Sequence, residues 1–173
     1  DGYAIHTHVT DGILSYRLQV IADPETKTQR AILAEVQGAA LRRDFNAVSA
    51  FLARVDEWPA DPWILRWGVL VCLGVAQPQL AIPFWRRILT FEEDAYARIG
   101  LAKHALETGA FDEADFHLTA LLQQDPSHGE GWLLRGIVAM QRNAYQQAEE
   151  AFERAKLSGA DSRKASLGIV MAA

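Results

Sequence analysis

Apolar and small residues recur along this chain at almost constant spacing. Three sets of positions return every 33 or 34 residues: Phe45, Pro78, Phe111 and Tyr145; Val48, Ala81, Ala114 and Ala148; Leu52, Trp85, Leu118 and Phe152. Within each copy the positions lie three and then four residues apart, which is the spacing of one helix face. A period of this length predicts a two-helix repeat whose core forms only when neighbouring units stack.

The two most regular copies run from Ala95 to Pro126 and from Gly129 to Asp161. Small residues in both copies allow antiparallel helices to approach closely. These small residues are Ala102, Ala114, Gly136 and Ala148. Gly109 and Asn143 lie where the first helix of each copy must end, and both residue types tolerate the left-handed conformation that ends a helix. Pro126 ends the second helix of the first copy, because the residue before a proline is pushed out of the helical region.

The residue types of both copies follow one pattern. In the last copy the pattern residues are Trp132, Gly136, Asn143, Tyr145, Ala148, Phe152 and Ala155. In the copy before it they are Ala102, Gly109, Phe111, Ala114, Leu118, Leu121, Asp125 and Pro126, with Arg98 in place of the bulky first residue. This pattern resembles the tetratricopeptide repeat, and a looser version reaches back to about residue 28. The resemblance implies an all-α fold, an antiparallel helix-pair solenoid of three to four repeats.

The implied organisation has three parts. Residues 26–161 hold the repeats, at about 28–60, 61–94, 95–128 and 129–161, and residues 162–173 start a further or capping helix. Pro83 falls inside a second helix, so we expect it in the first turn or at a kink. Residues 1–25 do not follow the repeat. They fit a β-hairpin about Asp11-Gly12 and a first helix from Ile13 to Ala22 equally well.

Composition narrows the possible functions. The net charge of −5 and pI near 5.5 give no basic surface, so nucleic acid is not an expected partner. The sequence has no apolar run long enough to span a membrane, so we expect no membrane insertion. Cys72, the one cysteine, excludes an internal disulfide, and its place on the interhelix face predicts a buried, inert thiol.

Candidate chemistry is sparse. His6 and His8 would share one face of a strand, as metal-binding pairs do, and Asp11 could add a carboxylate. The other histidines lie inside the repeats, so solvated strand residues are the preferred interpretation. No nucleophile set, phosphate loop or paired carboxylates can be recognised. We therefore expect neither catalysis nor a metal nor a cofactor.

The resemblance places a binding surface in a concave groove lined by the first helix of each pair. The groove residues that it implies are Trp63, Arg66, Trp67, Leu70, Tyr96, Ile99, Lys103, Leu106, Leu133, Ile137 and Met140. Packing between the helices is an equally good interpretation of Leu106 and Leu133. Trp63 and Trp67 are four residues apart on one helix face, as interface anchors would be. Arg66 and Lys103 are the cationic points that would orient a ligand. The leading hypothesis is a scaffold that binds a peptide or helix of a partner protein in this aromatic and apolar groove.

Other functions fit the same pattern. The chain lacks an initial methionine and stops partway through a helical pattern, so we expect a fragment or mature segment of a longer protein. It would then be a docking or regulatory module of a larger enzyme or of a bacterial secretion or assembly system, with residues 1–25 the tail of a preceding domain. A class II secretion chaperone and self-association through the C-terminal helix are further hypotheses. The expected compartment is left open between cytoplasm and periplasm.

Overall fold

The chain divides into two compact units. The computed structural model describes residues 3–10, 13–20, 34–36, 38–39, 41–42, 44–58 and 60–172. Unit 1 comprises Asp1–Ala81 and unit 2 comprises Ile82–Ala173.

Unit 1 opens with two antiparallel strands, β1 (Tyr3–Thr10) and β2 (Ile13–Val20). Their register pairs Thr10 with Ile13, so the strands are joined by the shortest kind of hairpin connection. Both segments are rich in β-branched and aromatic residues, which favour strands. Of the two interpretations that the sequence leaves open, the hairpin is therefore the one that the fold adopts; the two residues of the connection lie outside the described part.

The rest of unit 1 is helical. Its described elements are helical backbone at residues 34–36, 38–39 and 41, then α1 (Phe45–Leu52), a 3₁₀ turn (Val55–Glu57), α2 (Pro62–Gly74) and a second 3₁₀ turn (Pro78–Leu80). The Asp61 carboxylate accepts a hydrogen bond from the Trp63 backbone N–H at 2.8 Å, directly before the proline that begins α2. A side-chain cap followed by proline is a common start of a helix. The cap accepts a hydrogen bond from one free backbone N–H group, and proline has no N–H group to satisfy.

Two tryptophans organise the core of unit 1. The Trp58 and Trp67 ring centroids lie 5.7 Å apart, and Trp58 Nε1 donates a hydrogen bond to the Phe51 carbonyl at 3.2 Å. Cys72 is completely buried nearby in sequence on α2, and burial raises the pKa of its thiol to about 12. The prediction of an inert, buried cysteine is confirmed.

Unit 2 is built from helices joined by tight turns. Its helices are α3 (Ala81–Ile88, which begins on the last residue of unit 1), α4 (Ala95–Glu107), α5 (Phe111–Gln124), α6 (Gly129–Gln141), α7 (Tyr145–Leu157) and α8 (Ser162–Ala172). The short turns make α4/α5 and α6/α7 antiparallel pairs, and α8 packs on α7. The predicted all-α helix-pair fold is confirmed, with the hairpin as its added element.

The predicted turn chemistry is also observed. Gly109 and Asn143 have φ of 74° and 57°, the left-handed conformation that ends a helix. Helix α5 stops at Gln124, two residues before Pro126. Pro83 is the third residue of α3, in the first turn, where its missing amide proton costs no intrahelical hydrogen bond.

In the core of unit 2, large aromatic side chains pack directly against glycines of neighbouring helices. A Cβ added to Gly100 would lie 2.5 Å from the Trp85 ring. Phe152 meets a glycine along each ring edge: Gly136 faces Cδ1 and Cε1, and Gly168 faces Cδ2 and Cε2. The helices can therefore approach the aromatic rings only because these positions carry no side chain.

Candidate functional site

Helices α4 and α6, the first helices of successive pairs, pack against each other and enclose a depression of about 390 Å³. Its lining residues come from α4, α6 and the start of α5: Lys103, Leu106, Glu107, Ile137, Gln141 and Phe111. Leu106 and Glu107 lie three and four residues after Lys103, and Gln141 lies four after Ile137, so each helix presents one face to the depression. Leu106, Phe111 and Ile137 are half-buried against the core of unit 2. The depression thus has an apolar floor and a polar rim.

One ion pair bridges the two helices beside the depression. Lys103 Nζ lies 2.7 Å from Glu130 Oε1, and each side chain is about half exposed. Glu107 is exposed at the rim and forms no ion pair within 4.0 Å among the described residues. Arg142, directly after α6, forms an ion pair with Asp112 at the start of α5. The charge that remains uncompensated at the depression is therefore the Glu107 carboxylate.

The residues predicted for this face of unit 2 fall into two groups. Tyr96 is 54% exposed, and Lys103 and Ile137 reach the surface at the depression. Ile99 and Leu133 are only 4% and 9% exposed, because they pack into the apolar clusters between the helices. Ile99 and Leu133 are therefore core residues, and a direct contact of either with a peptide stays a prediction.

In unit 1 the predicted surface lies on α2. Trp63 is 65% exposed, the Arg66 guanidinium carbon lies 5.7 Å from its ring centroid, and Leu70 is 37% exposed. Trp67 is 3% exposed, because its ring packs on Trp58. Of the two expected anchors, Trp63 is therefore exposed and Trp67 is a core residue. That Trp63 anchors a partner stays a prediction.

A partly buried polar network links α4 to α5. The Arg98 guanidinium donates two hydrogen bonds to the Glu93 carboxylate, at 2.7 and 3.0 Å, and directs Nη1 at His117 Nδ1 across 3.1 Å. A guanidinium can only donate, so His117 Nδ1 accepts and the ring is neutral with its proton on Nε2. Burial first, and then the charge of Arg98, lower the pKa of His117 below its ordinary value. The hydrogen bond from Arg98 to His117 requires a neutral imidazole, so protonation of His117 would break this link between α4 and α5.

Some residues of the depression were not predicted from the sequence. Glu107 and Gln141 are each one helical turn beyond a predicted residue, Lys103 and Ile137, so extending the same face by four positions would have found them. The Glu130 partner of Lys103 lies 27 residues away in sequence. No local pattern indicates that pairing.

Helix α8 exposes three apolar side chains, Leu167, Val170 and Met171, at 60%, 75% and 63%. In register, Val170 occupies the position of Gly136 and Ala102, which are buried against the second helix of their own pair. This stripe is where self-association through the C-terminal helix would occur, and that hypothesis stays a prediction.

The described residues contain no group of three or more His, Cys, Asp or Glu side chains that could hold a metal ion. The side chains of His6 and His8 lie outside the described part, so the histidine-pair hypothesis is not addressed. Within the described residues, every helix is too short or too polar to cross a bilayer.

Comparison with known proteins identifies the repeat. Residues 105–167 match the sequence model of the tetratricopeptide repeat family. No curated protein matches the chain. Among solved structures, the crystal structure of MamA protein superposes with a TM-score of 0.68 at 15% identity, over 84% of this chain and 81% of that chain.

Two further solved structures have the same fold. YrrB, described as a tetratricopeptide repeat protein with an unusual peptide-binding site, has a TM-score of 0.64 at 19% identity, over 83% of this chain and 75% of that chain. A tetratricopeptide repeat protein from Parabacteroides merdae has a TM-score of 0.66 at 18% identity, over 85% of this chain and 59% of that chain. Tetratricopeptide repeat proteins are typically non-catalytic scaffolds that bind other proteins. The chain therefore has the tetratricopeptide-repeat fold, and its residues 105–167 match the sequence model of that repeat.

Proposed function

We propose that this chain is a protein-interaction scaffold that holds a peptide segment of a partner with an apolar side chain in the unit 2 depression. The observation that carries the proposal is the depression itself, which has an apolar floor and lies between the first helices of two repeats. Pockets of this kind bind an anchor side chain by removing it from water, while surrounding polar groups fix its orientation.

The half-buried floor supports this proposal more than a flat surface would. Leu106, Phe111 and Ile137 already pack on the core, so they present a preformed apolar surface. A preformed surface loses little side-chain entropy when a ligand binds, which favours affinity. An extended peptide and a short helix both offer such an anchor.

The test blocks the depression without disturbing its floor. Gln141 is exposed at the rim, so Gln141→Trp adds an indole there and removes no packed side chain. Gln147→Trp on α7 is the matched control, because Gln147 is exposed and lies outside the depression. Twelve-residue peptides are selected by display on the parent chain, and their affinities are then measured by fluorescence anisotropy.

We expect the selected peptides to bind the parent and Gln147→Trp alike, and to bind Gln141→Trp at least about tenfold more weakly. Circular dichroism of each variant confirms that the helices are intact. Selection without enrichment, or equal binding to all three proteins, would overturn the proposed site.

A second contact surface is proposed on unit 1, at Trp63, Arg66 and Leu70. Trp63 is the exposed aromatic of this set, and tryptophan is over-represented among residues that dominate binding energy. Trp63→Ala should weaken a natural partner's binding roughly tenfold or more, whereas Leu157→Ala, at an exposed residue of α7, should have no effect. Unchanged binding by Trp63→Ala would remove this surface from the proposal.

A further inference from the structure

The charge around the unit 2 depression is negative once its ion pairs are taken into account. Lys103, the cation of the rim, is paired with Glu130 at 2.7 Å. Arg142, which follows α6, pairs with Asp112 and has a second carboxylate, that of Asp115, 3.9 Å from Nη1. Lys103 and Arg142 are therefore both already engaged in ion pairs with described residues of the chain.

Two helices end at the depression and one begins there, at Phe111, so the helix ends together make a small net negative contribution. Glu107 is the last residue of α4 and Gln141 is the last residue of α6, and both line the depression. The C-terminal end of a helix carries partial negative charge from its unpaired carbonyl groups. The Glu107 carboxylate has no ion-pair partner within 4.0 Å in the described part of the chain, and it lies at the same end.

We infer that the segment bound in the depression carries a lysine or arginine next to its apolar anchor, and that Glu107 pairs with this cation. The inference rests on the proposed function, since it names the chemistry of the ligand at the same site. It reverses the expectation from the sequence, in which Lys103 would orient the ligand. An acidic segment would instead meet Glu107 and would have to compete with Glu130 for Lys103.

The experiment compares three versions of one selected peptide, with Lys, Gln or Glu at the position that follows its apolar anchor. Each is fluorescein-labelled at a capped terminus and titrated against the parent, Glu107→Gln, Glu107→Lys and the control Glu150→Gln. Glu150 is an exposed carboxylate of α7 outside the depression, so this control removes one negative charge from the surface without changing the site.

On the parent we expect the Lys peptide to bind about threefold to fivefold more tightly than the Gln peptide, as a half-exposed ion pair allows, and the Glu peptide to bind least. Glu107→Gln should remove this preference, Glu107→Lys should reverse it, and Glu150→Gln should behave as the parent does. Raising the salt concentration should reduce the preference, because exposed charges are screened.

The outcomes separate the two proposals. Equal or tighter binding of the Glu peptide, with Gln141→Trp still blocking all three peptides, would overturn the charge preference and leave the proposed site intact. Binding that Gln141→Trp does not affect would overturn the site, and the inference with it.

Discussion

Substituting Gly136 by alanine should destabilise unit 2, although alanine is the better helix former. The added Cβ would lie 2.5 Å from Phe152 Cε1 and 2.6 Å from Cδ1, whereas ordinary contact begins at 3.4 Å. The ring cannot move away in its own plane, since its opposite edge faces Gly168. Either the helices separate or Phe152 leaves its position.

The expected magnitude follows from two opposing effects. Replacing glycine by alanine inside a helix gains about 1 kcal/mol. Forcing extra volume into a packed core costs about 1–3 kcal/mol, and the confined ring of Phe152 places this site towards the upper end. The free energy of unfolding should therefore fall by about 1–2 kcal/mol, which lowers Tm by roughly 2–4 °C per kcal/mol for a chain of this size.

The preceding repeat suggests a second substitution that would compensate for Gly136→Ala. Ala102 stands in register with Gly136, and there the opposing residue is Leu118, in register with Phe152; both lie in one buried cluster. Gly136→Ala/Phe152→Leu recreates that smaller pairing, so the two substitutions should destabilise less together than the sum of their separate effects, by about 1 kcal/mol.

Urea unfolding followed by circular dichroism measures all of these variants. Gly74→Ala is the matched control, because Gly74 ends α2 and an added Cβ there would meet nothing within 4 Å. It should be neutral or slightly stabilising. If Gly136→Ala gains as much stability as Gly74→Ala does, the confinement of the Phe152 ring is refuted.

Three further comparisons test other parts of the structure. Trp67→Ala should cost about 3–5 kcal/mol as a buried aromatic, whereas the exposed Trp63→Ala should cost about 0.5 kcal/mol or less; equal urea midpoints would contradict the assigned burial. The lowered pKa of His117 means that the unfolded chain binds more protons, so its stabilisation is present above its ordinary value and is lost as pH falls through the folded value. Between about pH 7.5 and pH 5, the free energy of unfolding should fall less for His117→Gln than for the parent. An equal fall in both proteins would exclude a contribution from the titration of His117. Gly109→Asn should be nearly neutral, because Asn143 adopts the same left-handed conformation, whereas Gly109→Val should cost about 1–2 kcal/mol. Thermal unfolding of the two variants distinguishes these effects, and equal Tm values would count against backbone strain.

Features that depend on local backbone chemistry were predictable from the sequence. Gly109 and Asn143 end their helices in the left-handed conformation, and Pro83 occupies a first turn. Each follows from the conformational range of one residue type. The helix-pair pattern was predictable for the same reason, since the 33- to 34-residue period reports a repeated packing face.

Burial and charge pairing were less predictable because they depend on partners distant in the sequence. Trp63 and Trp67 lie one turn apart on α2, yet only Trp67 meets Trp58, and this contact decides which of them is exposed. Lys103 is a free cation in the pattern, but Glu130 neutralises it in the fold. The sequence thus located the face of the depression but not the sign of its charge.

The reactivity of the Cys72 thiol can be used to measure how often unit 1 opens. Cys72 is the chain's one cysteine, it is completely buried, and its thiol has a pKa of about 12, so both steric access and thiolate formation are suppressed in the folded state. A thiol reagent should therefore modify the chain only when unit 1 opens. The rate of this modification would give the opening free energy of unit 1 separately from that of unit 2, without an engineered label.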